Sequence, residues 1–433
     1  MKDGEGTRSG FAAAVKRVLP RNVLALGLVS LLTDASSEMM MWTVPFFIAL
    51  LGGGAVWVGL VEGVRESLAS LLKLVSGWAS DRVGHRKRLV VLGYAISTAA
   101  KPLLALCAAP WQVLGLLGVE RIGKGVRTAP RDVLIAGAVD EADRAKAFSF
   151  HRMMDHGGAV IGLLAGTGLV AVLFPHFRDL GNKQPADVFR FMYVLAAVPA
   201  ALGVLAGWLF VREKAGASKK SVLDFRAGYD RSFWWFLAIL MLFALGNSSD
   251  MFLIVRAGQV LNYPVVLDKA ERAAMASAWR FPWQLPLMFL ALSMAKAVFS
   301  MPGGILADRF GRGRTLALGW AVYAAVYIAF GFANAAWQVW ALFILYGAFY
   351  GLTEGVEKAV VADFARPEVR GSAYGLYAFA DGIAKFPASL LLGVLYGYFG
   401  PAAAFGAGGA CAGAAAVALL VLSFRMRRTS AKT

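Results

Sequence analysis

The chain has 433 residues, of which 58% are hydrophobic and 16% charged, with a formal net charge of +17. A mean hydropathy of +0.61 and recurring apolar runs of about 20 residues, the length of helix that crosses a hydrocarbon core, exclude an ordinary soluble domain and indicate an all-α polytopic membrane protein. The basic residues fall in short loops and at the termini, as they do in the cytoplasmic loops of membrane proteins, so nucleic acid is not an expected partner; two cysteines in apolar runs and four histidines without ligand spacing give no metal or disulfide framework, and no cofactor is expected.

In chain order, twelve spans are predicted, at 23–51, 55–77, 89–108, 111–134, 147–174, 190–211, 233–256, 284–306, 315–333, 337–361, 372–398 and 401–424. They divide the chain into a segment 1–22, a first six-helix bundle 23–211, a linker 212–232, a second six-helix bundle 233–424 and a tail 425–433. The linker carries Arg212, Lys214, Lys219, Lys220, Arg226 and Arg231. An even number of spans puts both termini on one side. Lys16, Arg17 and Arg21 lead into the first span and Arg425, Arg427, Arg428 and Lys432 follow the last. Both termini are therefore expected in the cytoplasm, with the protein multi-pass in the inner or plasma membrane. Segment Leu261–Trp283 is too charged at Asp268–Arg272 to face lipid, so the eighth helix is expected to start after Pro282.

The two halves repeat each other. Gly77-x-x-x-Asp81-Arg82-x-Gly84-x-Arg86 recurs as Gly304-x-x-x-Asp308-Arg309-x-Gly311-Arg312, about half the chain further on. Gly125-Val126-Arg127-Thr128-Ala129 matches Gly355-Val356-Glu357-Lys358-Ala359, Phe148…His151…Asp155 matches Tyr374…Tyr377…Asp381, and Ser36-Ser37-Glu38 matches Ser248-Ser249-Asp250. Parallel repeats of this kind place a substrate site between the halves near mid-membrane.

On these residues the chain resembles the major facilitator superfamily over essentially its whole length. The Gly77–Lys87 stretch is similar to that family's motif A at the cytoplasmic end of helix 2, with its second copy at Gly304–Arg312, and Arg121-Ile122-Gly123-Lys124-Gly125 is similar to motif B of helix 4, with Lys124 where the pattern has Gln. Helix 5 departs from the antiporter motif: it has Gly158-x-x-x-Gly162-x-x-x-Gly166 and no Pro. The resemblance implies two six-helix bundles that rock around a central cavity lined by helices 1, 4, 7 and 10, with Gly77, Asp81, Arg82, Gly84, Arg86, Gly304, Asp308, Arg309 and Gly311 acting at the gate. The alternative reading of that motif is a charged turn that only sets topology.

Each of those four helices carries intramembrane charge, which is costly and usually faces a cavity or a partner. Asp34 and Glu38 share one face of helix 1 at i,i+4, either as a proton-carrying or substrate-binding pair or as carboxylates held by a neighbouring Arg. Arg121, Lys124 and Arg127 step along helix 4, and either bind an anionic group or hold the helix 1 carboxylates, or else form a solvated helix end. Helix 10 has Glu354 and Glu357 at the positions equivalent to Lys124 and Arg127, a sign reversal that suggests attraction across the cavity; Lys358 could instead neutralise Glu354 at i,i+4. Asn247 and Asp250 on helix 7 are a further substrate or protonation site. The expected proton-coupling set is Asp34, Glu38, Asp250 and Arg121. The expected substrate-binding set is Asp34, Glu38, Arg121, Lys124, Asn247, Asp250, Glu354 and Glu357. Glu62, Arg65 and Glu66 on helix 2 read mainly as a structural set, Asp155 as a partner for Arg121, and Asp381 with Lys385 as a self-satisfied pair. Lys101 and Lys296 have no assigned partner.

The expected function is secondary active transport of a small polar or charged organic solute, coupled to protons, with export slightly favoured over uptake. No phosphate-binding Gly-x-x-x-x-Gly-Lys-Ser/Thr string is present, so ATP is not an expected direct energy source; no His/Cys/Asp/Glu cluster with metal spacing and no nucleophile triad stands out, so no enzyme activity is expected, and a monomer suffices. A non-transporting sensor on the same scaffold, or a membrane enzyme, are the readings from other classes; the sensor would tolerate neutral Asp34 and Glu38.

Overall fold

The computed structural model describes residues 19–83, 85–140, 144–179, 185–213, 229–263, 283–364 and 370–430. Among these there is no strand. The helices are α1 (Arg21–Met41), α2 (Val44–Leu50), α3 (Ala55–Val83), α4 (Arg86–Leu103), α5 (Pro110–Ala136), α6 (Arg144–Asp179) and α7 (Pro185–Phe210) in the first half, then α8 (Arg231–Gly246), α9 (Met251–Val260), α10 (Gln284–Phe310), α11 (Arg312–Phe332), α12 (Ala336–Phe364) and α13 (Arg370–Ser430) in the second. Helix α13 is two spans in sequence, broken where Gly400 adopts φ 82°, a left-handed conformation that glycine takes without a Cβ penalty. Taking α1 with α2 and α8 with α9 as one span each, the fold is twelve membrane-spanning helices in two six-helix bundles.

The first span of each half is interrupted. In the first half α1 ends at Trp42–Thr43, where the Thr43 hydroxyl donates to the Met40 carbonyl at 2.6 Å. In the second half Asn247 (φ −92°, ψ 77°) ends α8 and Asp250 starts α9. The predicted single helices 23–51 and 233–256 are corrected accordingly. The eighth span begins at Gln284, after Pro282 as expected. The fifth is longer than the predicted 147–174, running Arg144–Asp179.

Within the first bundle the glycine stripe of α6 is a packing device. A Cβ on Gly158, Gly162 or Gly166 would strike the backbone carbonyls of Leu31, Ala35 and Met39 in turn, so three successive turns of α6 lie directly on α1. Without a hydrophobic drive between helices in lipid, such close backbone contact is what holds them. The second bundle is packed around rings: Phe243 stacks on Trp320 at 4.3 Å between centroids, and Tyr323 on Tyr327 at 4.5 Å.

The bundles meet most closely along α3 and the first span of α13. A Cβ on Gly59 would strike the Ser389 carbonyl, and the Gly393 Cα lies 3.2 Å from the same point. One turn further, a Cβ on Gly63 would meet the Phe386 carbonyl at 3.0 Å, and Ser67 Oγ donates to the Gly382 carbonyl at 2.8 Å. This contact leaves a cavity between the halves.

Candidate functional site: the cavity between the bundles

A cavity of about 1000 Å³ lies between the halves, at the upper end of the range for small-molecule sites. Its wall is drawn from α1, α3, α5, α6, the α8–α9 break, α10, α12 and α13. Charge reaches it from nearly all of these. Apolar surface comes from Met41, Trp42, Ile161, Ile254, Phe289 and Leu292.

Helix α3 supplies Glu62, Arg65 and Glu66 to the wall. Glu62 and Arg65 form a buried ion pair three residues apart. The other Glu62 oxygen accepts from Ser249 Oγ, across the bundle boundary, at 2.8 Å. Glu66 pairs with Arg121 of α5 at 3.6 Å and stands 4.0 Å from Lys385 Nζ of α13. Lys385 also binds Asp381 at 2.8 Å, one turn back. Arg121 reaches its neighbour Glu120 at 3.4 Å as well. A chain of charge thus runs Glu120–Arg121–Glu66–Lys385–Asp381 from one bundle into the other. The set on α3 is therefore more than internally paired: among the described residues Glu66 has no ion-pair partner on its own helix, and its ion pairs are with Arg121 and Lys385.

At the α8–α9 break, Asp250 accepts from Tyr346 Oη at 2.7 Å and from Tyr350 Oη at 3.2 and 3.3 Å. The ammonium of Lys296 sits 3.6 Å from the centroid of the Tyr350 ring, a cation–π arrangement. The Ser248 hydroxyl bonds the Tyr327 hydroxyl, and Tyr323 Oη donates to the Gly246 carbonyl at 3.0 Å, satisfying a backbone acceptor that the break leaves open.

The remaining predicted residues are placed as follows. Glu38, Arg121, Asn247, Asp250 and Glu354 line the cavity. Asp34 and Lys124 do not; they act on each other electrostatically without closing an ion pair. Glu357 lies outside the lining and accepts from Tyr377 Oη at 2.7 Å and Trp320 Nε1 at 3.4 Å. No ion pair joins Lys124 to Glu354. Among the described residues neither Glu38 nor Asp34 has a hydrogen-bond or ion-pair partner for its carboxylate. Asp155 is corrected: it accepts from Ser30 and lies 3.5 Å from His151 and 4.0 Å from Arg152, not against Arg121. Arg127 points away from the cavity, donating to Ser97 Oγ at 2.6 Å with its guanidinium 4.3 Å from the Tyr94 ring centroid. Lys101 finds its partners on α1, donating to Ser36 Oγ at 2.6 Å and Ser37 Oγ at 3.0 Å.

Of the gate motif, Gly84, the surroundings of Gly77 and Gly304, and the side chains of Asp81, Arg82 and Asp308 lie outside what is described. Arg86 and Lys87 start α4, and their backbone amides donate to Glu213 at 3.1 and 2.7 Å, so the carboxylate following α7 caps that helix. Arg309 is exposed. Gly311 has φ 97°, which fits the tight turn between α10 and α11.

Twelve helices in two bundles around a wall of mixed charge define a polytopic membrane transporter that binds a small molecule. A sequence profile of the Major Facilitator Superfamily matches residues 26–282 and 282–433. The chain is 34% identical over 383 residues to an uncharacterized MFS-type transporter of Methanocaldococcus jannaschii, covering 88% of this chain and 89% of the relative. It belongs to the major facilitator superfamily. A shorter match, 30% identical over 128 residues and covering 30% of this chain and 32% of the relative, is to the multidrug resistance protein MdtH of Edwardsiella ictaluri. The fold is also that of a POT family transporter solved in complex with 5-aminolevulinic acid, with a TM-score of 0.74 at 15% identity over 94% of this chain and 96% of the other.

Proposed function

We propose that this transporter works by alternating access in the plasma membrane, with both termini cytoplasmic, exporting a small polar or charged organic solute as a monomer in exchange for protons. The observation that carries proton exchange is Glu38. It lines the cavity and its carboxylate has no hydrogen-bond or ion-pair partner among the described residues, so it is available to take up and give up a proton where the solute binds. Asp250, the repeat partner of Glu38, is held by two tyrosine hydroxyls and is the second site to test. The name of the partly matching MdtH relative favours export, and the basic short loops favour the orientation. The two copies of the Gly77–Arg86 motif are assigned to the gate and not to the solute.

The test is flux in proteoliposomes with an imposed pH gradient and a panel of candidate solutes. Protein reconstituted with an acidic lumen is expected to accumulate substrate inside, and Glu38→Gln is expected to abolish the dependence on the gradient. Flux that ignores both the gradient and Glu38→Gln refutes the coupling; accumulation driven in the same direction as proton entry makes the protein an uptake symporter.

A further inference from the structure

We infer that the solute is an organic cation with an apolar body. This rests on the transport reading above and narrows its substrate. The bases on the cavity wall are already engaged: Arg65 with Glu62, Arg121 with Glu66 and Glu120, Lys385 with Asp381 and Glu66, and Lys296 on the Tyr350 ring. The acids are not all engaged. Glu38 lines the cavity and has no ion pair among the described residues; Glu354 also lines it but is exposed, and is left out of the balance as His156 is.

The asymmetry decides the sign of the solute. An anion entering this cavity has to take Arg121 or Lys385 from Glu66. That strips Glu66 of one of its two counter-charges and opens a tie between the bundles, which is unfavourable. A cation displaces nothing. It meets the Glu38 carboxylate directly and forms a charge-assisted contact. His156 also lines the wall but is exposed, so a positive charge there is met by solvent and does not reverse the balance. Asp34 and Lys124, which oppose each other, lie outside the lining and contribute little net sign.

The rest of the wall suits the body of such a molecule. Trp42 and Phe289 line the cavity with Met41, Ile254 and Leu292. Aromatic faces attract cations and most of all those whose charge is spread over an apolar surface. The solute class is therefore an amine, guanidinium or quaternary ammonium or phosphonium attached to a hydrophobic skeleton. A highly hydrated small cation would leave the apolar wall unused, and a carboxylate or phosphate ester would oppose Glu38.

Tetraphenylphosphonium and tetraphenylborate have nearly the same shape and opposite charge, so they test the sign alone. Equilibrium dialysis of each against the purified full-length protein, with empty detergent micelles subtracted, needs no proton gradient. The cation is expected to bind saturably and the anion at least tenfold more weakly. Glu38→Gln is expected to weaken cation binding at least tenfold, as for loss of one member of a desolvated charge pair, with tetraphenylborate binding unchanged or improved. Gel-filtration profile and melting temperature check that the variant is folded; if it is not, Glu38→Ser replaces it, and the wild-type comparison stands in any case. Equal or stronger binding of the anion, no cation binding by the wild type, or cation binding indifferent to loss of the Glu38 carboxylate in a folded variant overturns the inference. The two readings fail separately. Saturable cation binding through Glu38 without gradient-driven flux removes only the proton coupling, whereas proton-coupled flux of a neutral or anionic solute removes only the cation.

Discussion

The contact between α3 and α13 makes a quantitative prediction about access. Gly59 and Gly393 face each other across the bundle boundary. A Cβ added at Gly59 lies against the Ser389 carbonyl, and one added at Gly393 lies 2.8 Å from the Ala55 carbonyl and 3.2 Å from the Gly59 Cα. Both obstacles are backbone, which cannot rotate away as a side chain does. Overpacking of this kind costs about 1–3 kcal/mol. The cost falls only on the state in which these helices touch, because the added methyl is in open space once the bundles part there. Gly59→Ala should therefore move the equilibrium away from the contacting state by about 5–150-fold, with far less effect on folding. Electron–electron distance measurements report it. Spin labels go on Gly54→Cys, where nothing lies within 4 Å, and on Tyr398→Cys, which is 78% exposed, after the two native cysteines are replaced by alanine. The short distance should give way to a longer one in Gly59→Ala, and not in Gly115→Ala, a helical glycine with nothing within 4 Å. An unchanged distribution in Gly59→Ala would refute the claim that this contact sets the access state.

Three other outcomes follow from the bonding. Glu66→Gln and Lys385→Met, singly and together, should show a coupling energy of about 0.5–3 kcal/mol in a double-mutant cycle read from the same distance equilibrium; strict additivity would mean that the 4.0 Å approach is not an interaction. Lys101→Met should lower stability in detergent by about 1–3 kcal/mol, because the Ser36 and Ser37 hydroxyls each lose the ammonium that donates to them; an unaltered melt would show that those bonds are replaced. Gly162→Leu should abolish recovery of monodisperse protein, since the side chain enters the Ala35 backbone, while Gly168→Leu, with nothing within 4 Å, should be recovered normally.

What could be read from residue order depended on the range of the interaction. Length and hydropathy reach across one helix, so the spans and the Gly311 and Gly400 turns between them were legible. Pairs three or four residues apart were legible for the same reason: Asp381 with Lys385 is such a pair, and Glu62 with Arg65 another. Bonds between helices leave no spacing signal. Lys101 looked like an isolated charge because its partners, Ser36 and Ser37, are on another helix and are neutral hydroxyls. Asp155 was matched with the most conspicuous arginine, whereas helix packing sets it against Ser30 and His151. The break at Asn247–Asp250 has only Gly246 beside it as a local sign. The glycine stripe of α6 had been read against an antiporter pattern, but its physical consequence, backbone contact with α1, needed coordinates. The charged residues of α3 offered one clue that was passed over: ionisable groups in a span usually face a cavity or a partner, and here they do both.

That double duty bears on how the solute and the packing of the bundles are connected. Glu62 and Glu66 line the cavity, and the same two side chains reach Ser249 and Lys385 of the other bundle. Ser389 lines the cavity too, and its carbonyl is the atom against which Gly59 packs. A molecule that changes the field at Glu66 therefore changes the strength of a bond between the bundles, and parting of α3 from α13 removes a neighbour from the cavity wall. Because the two equilibria share these groups, each must shift the other by the same free energy. The sign follows from the charges. A cation held at Glu38 adds positive charge to the wall that carries Glu66 and Lys385; it repels Lys385 without displacing it and so weakens the tie across the boundary, whereas an anion would draw Lys385 and Arg121 toward itself and hold both bundles. Tetraphenylphosphonium should thus increase the population of the parted state in the spin-labelled protein and tetraphenylborate should not, and a shift of the opposite sign would show that Glu66 is not where the two equilibria meet.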